Sequence, residues 1–268
     1  MFLLALPAEL FVHKNFEMEA TIPKPSDALL SLMRADFTTQ WRNRRAVIMS
    51  LLVPVIILIS WKGLVDKFGG AFVLSISMTI GLTSIGLMGY AISIARDRDK
   101  GVFQRLRVTP VPTFFIMLSR LLVQLAMIIL LILFVFIIGH NFDKITLSPA
   151  GYALTFITAF IGGALYLGLG QMIVGLVKNS ETVNSTTRLV YIAFIVLGMF
   201  GELGLFGDKL KVIIHWSPFG TVKTILAASM EPLTWNSESS LALLATVVYA
   251  FAFSFFGIKW FKWNTGGA

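Results

Sequence analysis

The chain has 268 residues, 56% of them hydrophobic and only 13% charged. A soluble domain carries about 25% charged residues, so this composition excludes a soluble globular protein and points to an integral membrane protein with room for about six spans. The absence of cysteine removes disulfides, thiolate metal sites and cysteine nucleophiles, and the net charge of +8 lies mostly in loops, where it reads as an orientation signal rather than a nucleic-acid footprint.

Residues 1–25 read as a leader ahead of a single transmembrane domain, 26–264. Met1–Pro7 is apolar but has no cationic flank and is too short for a secretory signal, and translation could equally begin at Met18. Pro25-Ser26-Asp27 is a helix start. From there Leu29, Leu30, Met33, Phe37 and Trp41 share one apolar stripe, with Arg34, Thr38, Arg42 and Arg45 outside it. The spacing predicts an amphipathic helix over 26–45 lying in the membrane interface.

Six apolar runs follow, over 46–64, 72–94, 114–139, 151–177, 189–206 and 241–258. Pro54 places an expected kink in the first. The second is rich in small residues (Ser77, Gly81, Gly86, Gly89, Ser93), and the third is almost wholly Leu, Ile, Val and Phe from Leu121 to Ile138. Ala159/Gly163 and Ala164/Gly168 give the fourth two faces for close helix approach. Lys178–Arg188 reads as a polar connection, and Glu202 is the one acid inside a run. Residues 207–240 are too apolar for a solvated loop around Leu210–Trp216. They are predicted to form short helices dipping into the outer leaflet, broken at Pro218. Lys259, Trp260, Lys262 and Trp263 form an aromatic-basic anchor.

The most informative stretch is 95–112. It holds Arg96, Arg98, Lys100, Arg105 and Arg107 with Asp97 and Asp99 between two apolar runs, and such a density of charge belongs in water. Val102, Phe103 and Leu106 form one edge of a short helix, Gly101 permits a bend before it, and Thr109-Pro110 restarts the next helix. With the N-terminus inside, sixteen of the 22 Lys and Arg fall on inner segments, so the positive-inside rule places both termini and this loop in the cytoplasm.

No covalent chemistry is encoded in the motifs. The chain has no Gly-Lys dipeptide and hence no phosphate-binding P-loop, no HExxH and no GxSxG. His13, His140 and His215 lie in separate polar segments, which gives no metal spacing. No ionisable group sits at the middle of a run, which disfavours a proton-coupled carrier or channel working alone, the alternative from another class.

The order and spacing of three segments resemble the permease subunits of type-2 ABC exporters, which include drug, antibiotic and polysaccharide exporters. Leu32–Arg45 with Leu51-Leu-Val-Pro54 is similar to the family's interfacial helix and first span. Ala95-Arg-Asp-Arg-Asp-Lys-Gly101 through Arg105-Leu-Arg-Val-Thr-Pro110 resembles its motif after the second span, with Asp97 and Asp99 where glutamates are common. Ser217-Pro218-Phe219 before Thr221–Ala228 is similar to its re-entrant segment. The resemblance implies an all-α membrane fold of six spans behind an interfacial helix, in a prokaryotic cell membrane. It implies a second permease copy or related chain, and separate ATPase subunits that bind the ATP and magnesium, so that this chain holds no cofactor.

On that resemblance 95–112 is the coupling segment, with Gly101, Val102, Phe103 and Leu106 at the ATPase and Phe103 and Leu106 as its inserted knobs. Arg98, Arg105 and Arg107 would be rim charges. Met33, Phe37, Trp41, Arg42 and Arg45 would act in the interfacial helix. The second and fifth spans would line the path of a bulky hydrophobic or amphiphilic substrate, with Met78, Leu82, Phe194, Leu197 and Met199 as its expected wall.

Overall fold

Small residues decide which span becomes the centre. In a bilayer, helices associate through close packing and interhelical hydrogen bonds, so the run richest in Gly, Ser and Thr can be surrounded on all sides. The computed structural model describes residues 25–107 and 113–261, apart from the side chains of Pro25, Arg45, Ala46, Arg107, Thr113 and Glu202. The expectations for the leader, for Val108–Pro112, for Lys262 and Trp263 and for those side chains lie outside this description.

The described residues form an all-α bundle. Helix α1 spans Pro25–Arg42 and α2 Arg44–Ser60, followed by the short α3, Lys62–Phe68. Helix α4, Gly70–Asp99, is the second span, and α5 is the short Val102–Arg107. Helices α6, Thr113–Asp143, and α7, Pro149–Leu176, are the third and fourth. Helix α8, Ser180–Gly201, is the fifth. Two short helices, α9 at Asp208–His215 and α10 at Pro218–Met230, precede the last span, α11 at Ser237–Trp260. Among the described residues five helices are long and apolar enough to cross a membrane, or six if α1 and α2, bent by 57°, are taken as one broken span.

Helix α4 is the centre: 89% of its most apolar window is buried, against 17% for α11, so α4 is held by protein and α11 faces outward. Around α4 stand α2, α6, α7, α8 and α10. Ser77 Oγ donates to the Pro54 carbonyl at 2.7 Å, and the hydroxyls of Ser50 and Ser84 meet at 3.3 Å, which joins α2 to α4 through small polar groups. Helices α4 and α7 approach with their backbones in contact. A Cβ added at Gly86 would lie 2.4 Å from the Tyr166 carbonyl oxygen, and one at Gly170 would lie 2.4 Å from that of Gly86. Around Gly86 the helix widens into a π-helical segment, Ile85–Ala91, and α8 does the same at Phe194–Gly198.

Several boundaries differ from those read in the sequence. Helix α4 continues five residues past Ile94 to Asp99, because its terminal charges are consumed by neighbouring helices rather than by water. Helix α8 begins at Ser180 inside the expected polar connection, where the Asn179 side chain accepts the Thr182 N–H at 2.7 Å and caps it. It ends before 206, in a turn with Gly204 and Gly207 at positive φ. Helix α2 ends at Ser60 and α6 runs on to Asp143. The 207–240 connection holds two helices that meet at Ser217-Pro218, Ser217 Oγ accepting the Gly220 N–H at 3.3 Å. Helix α10 is no surface dip, however. Phe219, Val222, Lys223, Ile225 and Leu226 are buried against α4, α7 and α11.

Candidate functional site

The charged end of α4 is where the bundle is tied together. Each residue from Asp97 to Asp99 reaches a different helix. Asp97 Oδ2 pairs with Arg120 Nη1 of α6 at 2.6 Å, and Arg120 Nη2 lies 3.8 Å from Asp36 Oδ1 of α1. Ser119 Oγ donates to the other Asp36 oxygen at 2.5 Å. Burial pushes the Asp36 carboxyl above its ordinary range, while Arg120 and the Ser119 hydroxyl pull it back. Arg98 turns the other way. Its Nη1–H donates to the Val174 carbonyl at 2.6 Å, and Nη2–H donates to those of Val177 and Lys178, each at 2.8 Å. These carbonyls sit at the C-terminal end of α7, where a guanidinium meets both the lone pairs and the negative end of the helix dipole. Asp99 Oδ2 accepts the Ser180 N–H at 2.7 Å, an anion at the N-terminus of α8. One tripeptide thus binds α6 and, through it, α1, and also fixes the α7–α8 junction.

This geometry corrects the rim-charge reading of Arg98, which is 3% exposed and committed to three carbonyls. It also corrects Phe103. Gly101 takes φ +67° and turns the chain into α5 as anticipated. The turn carries Phe103 inward, fully buried under the Arg120 guanidinium, 5.0 Å from its ring centroid, and edge-on to Phe261 at 6.0 Å. A ring already filling this chain's own core is not a protruding knob. Val102 and Leu106 are half-buried, Leu106 against the same core, whereas Lys100, Gln104 and Arg105 are exposed; Arg105 Nη2–H donates to the Lys100 carbonyl at 3.2 Å.

On α1, Phe37, Trp41 and Arg42 are exposed and Met33 half-buried, with Phe37 and Trp41 stacked at 6.0 Å. The face turned to the bundle is a different line, Ala28, Leu32, Asp36 and Gln40, at helical spacing against α6. The apolar stripe therefore points largely away from the rest of the bundle.

The expected substrate wall also moves. Met78 and Leu82 are buried in the core, Leu82 against Gly162 and Gly163 of α7, so they hold helices together and line no opening. Phe194 is half-buried against Tyr166 and Phe219, and Met199 packs on the core, leaving Leu197 as the one exposed residue of the five. An opening exists nearer the charged end, between α2, α4 and α8. It has a volume of about 630 Å³, within the range of small-molecule sites. Ile48, Met49 and Val53 line it from α2, Met88 and Ile92 from α4, and Tyr191, Ile192 and Ile195 from α8. Asn43, Arg96, Asn184 and Arg188 edge it. The π-helical segments of α4 and α8 each contribute one lining residue, Met88 and Ile195.

At the opposite end a polar cavity of about 400 Å³ is lined by His215, Lys223, Glu231 and Glu238 among others. Lys223, counted from sequence among loop cations, is 8% exposed on α10 with its ammonium 5.2 Å from the Phe72 ring centroid. His215 Nε2 lies 2.8 Å from Glu238 Oε1, joining α9 to α11. Among the described residues no group of three His, Asp or Glu side chains could hold a metal ion.

The described residues thus form an all-α bundle with a charged junction at one end and an apolar cavity among its spans. The family model described as ABC-2 type transporter matches residues 27–226, and the chain belongs to that family. It is 24% identical over 206 residues to "Putative transport permease YvfS" of Bacillus subtilis (strain 168), covering 73% of this chain and 83% of that protein. The chain is thus a multi-pass membrane transport permease, a transport subunit rather than an enzyme, of a family that works with an ATPase partner.

Proposed function

We propose that this chain is the permease half of an ATP-driven exporter. It sits in the cell membrane with both termini and α5 in the cytoplasm, and moves a hydrophobic or amphiphilic compound outward, as in drug, antibiotic or glycan export. The observation that carries the reading is the junction at Asp97–Asp99. A segment that hangs from the most buried helix, and is bonded there to α6, α7 and α8 and through Arg120 to α1, would transmit a displacement of α5 to the walls of the cavity between α2, α4 and α8. Helix α5 offers a docking face of half-buried Val102 and Leu106 with exposed Lys100, Gln104 and Arg105 around it, the arrangement of an apolar patch with a charged rim. Nucleotide-driven closure of two ATPase subunits would press on this face in each of two permease copies.

The exposed flank of α8, with Leu189, Ile192 and Val196 uncovered, leaves that side of the cavity for a second copy to close. The test is reconstitution. The permease with its cognate ATPase in proteoliposomes should extrude an amphiphilic substrate only with ATP, and Arg105→Glu should lower ATPase co-purification without lowering permease yield. Extrusion that proceeds without ATP, or that follows an imposed ion gradient, refutes the proposal.

A further inference from the structure

Three cations at the charged end of the bundle are committed to partners within it. Arg98 holds three carbonyls, Arg120 is paired with Asp97, and Arg105 bonds the Lys100 carbonyl. Arg96 and Arg188 differ. They belong to separate helices, α4 and α8, yet line the same cavity, and neither forms an ion pair among the described residues. No Asp or Glu lines that cavity, so nothing within it balances them. Two more polar groups are present without hydrogen-bond partners: Asn184 Oδ1, and the hydroxyl of Tyr191, which is 5% exposed and lies near Ser84 without completing a bond to it. Below this mouth the walls are Ile, Met and Val from three helices.

We infer that the cavity between α2, α4 and α8 selects an anionic amphiphile, its carboxylate or phosphate head held by Arg96 and Arg188 and its apolar body by Met88, Ile92 and Ile195. This rests on the transport reading of the same cavity and adds a charge class to it. Guanidinium groups suit such heads because their planar forks donate paired hydrogen bonds to carboxylate and phosphate oxygens. A cationic amphiphile meets two like charges at the mouth and no carboxylate to offset them, an arrangement that rejects as well as attracts. A neutral body without a head would still partition into the apolar walls, so discrimination is expected in the headgroup and not in the tail.

The experiment is equilibrium binding to the detergent-purified full-length permease of two fluorescent probes with one tail, a long-chain alkyl phosphate and an alkyl trimethylammonium. The phosphate probe should bind about 10-fold or more tightly. Arg96→Gln and Arg188→Gln should each weaken it by about 3- to 10-fold and leave the ammonium probe unchanged or slightly tighter, while Arg96→Lys and Arg188→Lys keep most of the preference. Both side chains are exposed, so the Gln variants are expected to fold, and unchanged binding of the ammonium probe checks that they do. Inorganic phosphate should compete only weakly, because it lacks the apolar body.

Equal binding of the two probes, Gln variants indistinguishable from the parent, or full displacement by inorganic phosphate would each overturn the inference. The outcome is separable from that of the export proposal. Headgroup preference in a permease whose transport ignores ATP refutes export alone, whereas ATP-driven export blind to headgroup charge refutes this inference alone.

Discussion

Replacing Arg98 by Ala removes three hydrogen bonds from a charged donor, at 2.6, 2.8 and 2.8 Å, and uncovers carbonyls that close α7. A bond to a charged group contributes about 1.5–3 kcal/mol, but two of these share one nitrogen and are not additive. Relief of a buried cation's desolvation works in the opposite direction. The net loss comes to about 3 kcal/mol, which for a chain of this size lowers the thermal midpoint by about 6–12 °C. Arg98→Lys keeps one point charge, and with it one carbonyl, for about half the loss. Asp99→Ala removes one cap of α8 while Asn179 still supplies another, for about 1 kcal/mol. The assay is thermal unfolding of the purified permease in detergent, followed by fluorescence. The expected order of destabilisation is Arg98→Ala, then Arg98→Lys, then Asp99→Ala. If Arg98→Ala unfolds within about 2 °C of the parent, the α7–α8 junction does not depend on the guanidinium, and the reasoning from these three bonds is wrong.

Phe103→Ala, which empties a fully buried site under Arg120, should cost about 3–5 kcal/mol and reduce the yield of folded permease; a fully stable variant that fails only in ATPase binding would restore Phe103 as a partner contact. Gly170→Val puts a branched side chain where even a Cβ would lie 2.4 Å from a backbone oxygen of α4, so the variant should not accumulate as folded protein, whereas Gly63→Ala, with nothing within 4 Å, should be tolerated. Trp41, 53% exposed beside Phe37, should account for a measurable share of the quenching of tryptophan fluorescence by brominated lipid, and Trp41→Phe should remove that share; unchanged quenching would take α1 out of contact with lipid. A reporter at the C-terminus should read as cytoplasmic and one inserted at Gly207 as external, by protease protection in intact cells; the reverse pattern would invert the proposed orientation.

The spans were legible because hydrophobicity in a membrane chain is a bulk signal, insensitive to the register of single residues. Helix α6 would be found from any window over Leu121–Ile138. What the sequence hid was where polar side chains go once helices assemble. Arg98 in a charged run looks solvated, since hydropathy cannot see that carbonyls of α7, about 76 residues away, will meet it. Phe103 stands on an apolar edge that suits a partner or the chain's own core equally well, and the Arg120 side chain that covers it comes from another helix. The start of α8 did carry a local signal, Asn179 followed by Glu181 in the first turn, a helix cap inside a stretch that polarity alone marked as a loop. Small residues in the second span marked a close packing face and not a vacant one. Gly81, Gly86 and Gly89 bring α4 against its neighbours, which seals Met78 and Leu82 inside and leaves the opening nearer Arg96.

That displacement of the cavity toward the charged end changes what α4 can do. A cavity at the level of Met78 and Leu82 would have to be opened through the tightest part of the bundle, where backbone oxygens of α4 and α7 already exclude a methyl group. A cavity edged by Arg96 lies within one helical turn of the bonds made by Asp97, Arg98 and Asp99. Movement of α5 about Gly101 then need not propagate through the packed core. On the proposed coupling it would shift the junction, and the junction would carry the first turn of α8 through Asp99 and Ser180, with Asn184 and Arg188 following on the next turns. The π-helical turns that carry Met88 and Ile195 both face this cavity. Under the proposed function, the short route from Asp97–Asp99 to the cavity mouth is therefore the part of the bundle that would couple a push from outside the membrane to the size of the opening within it.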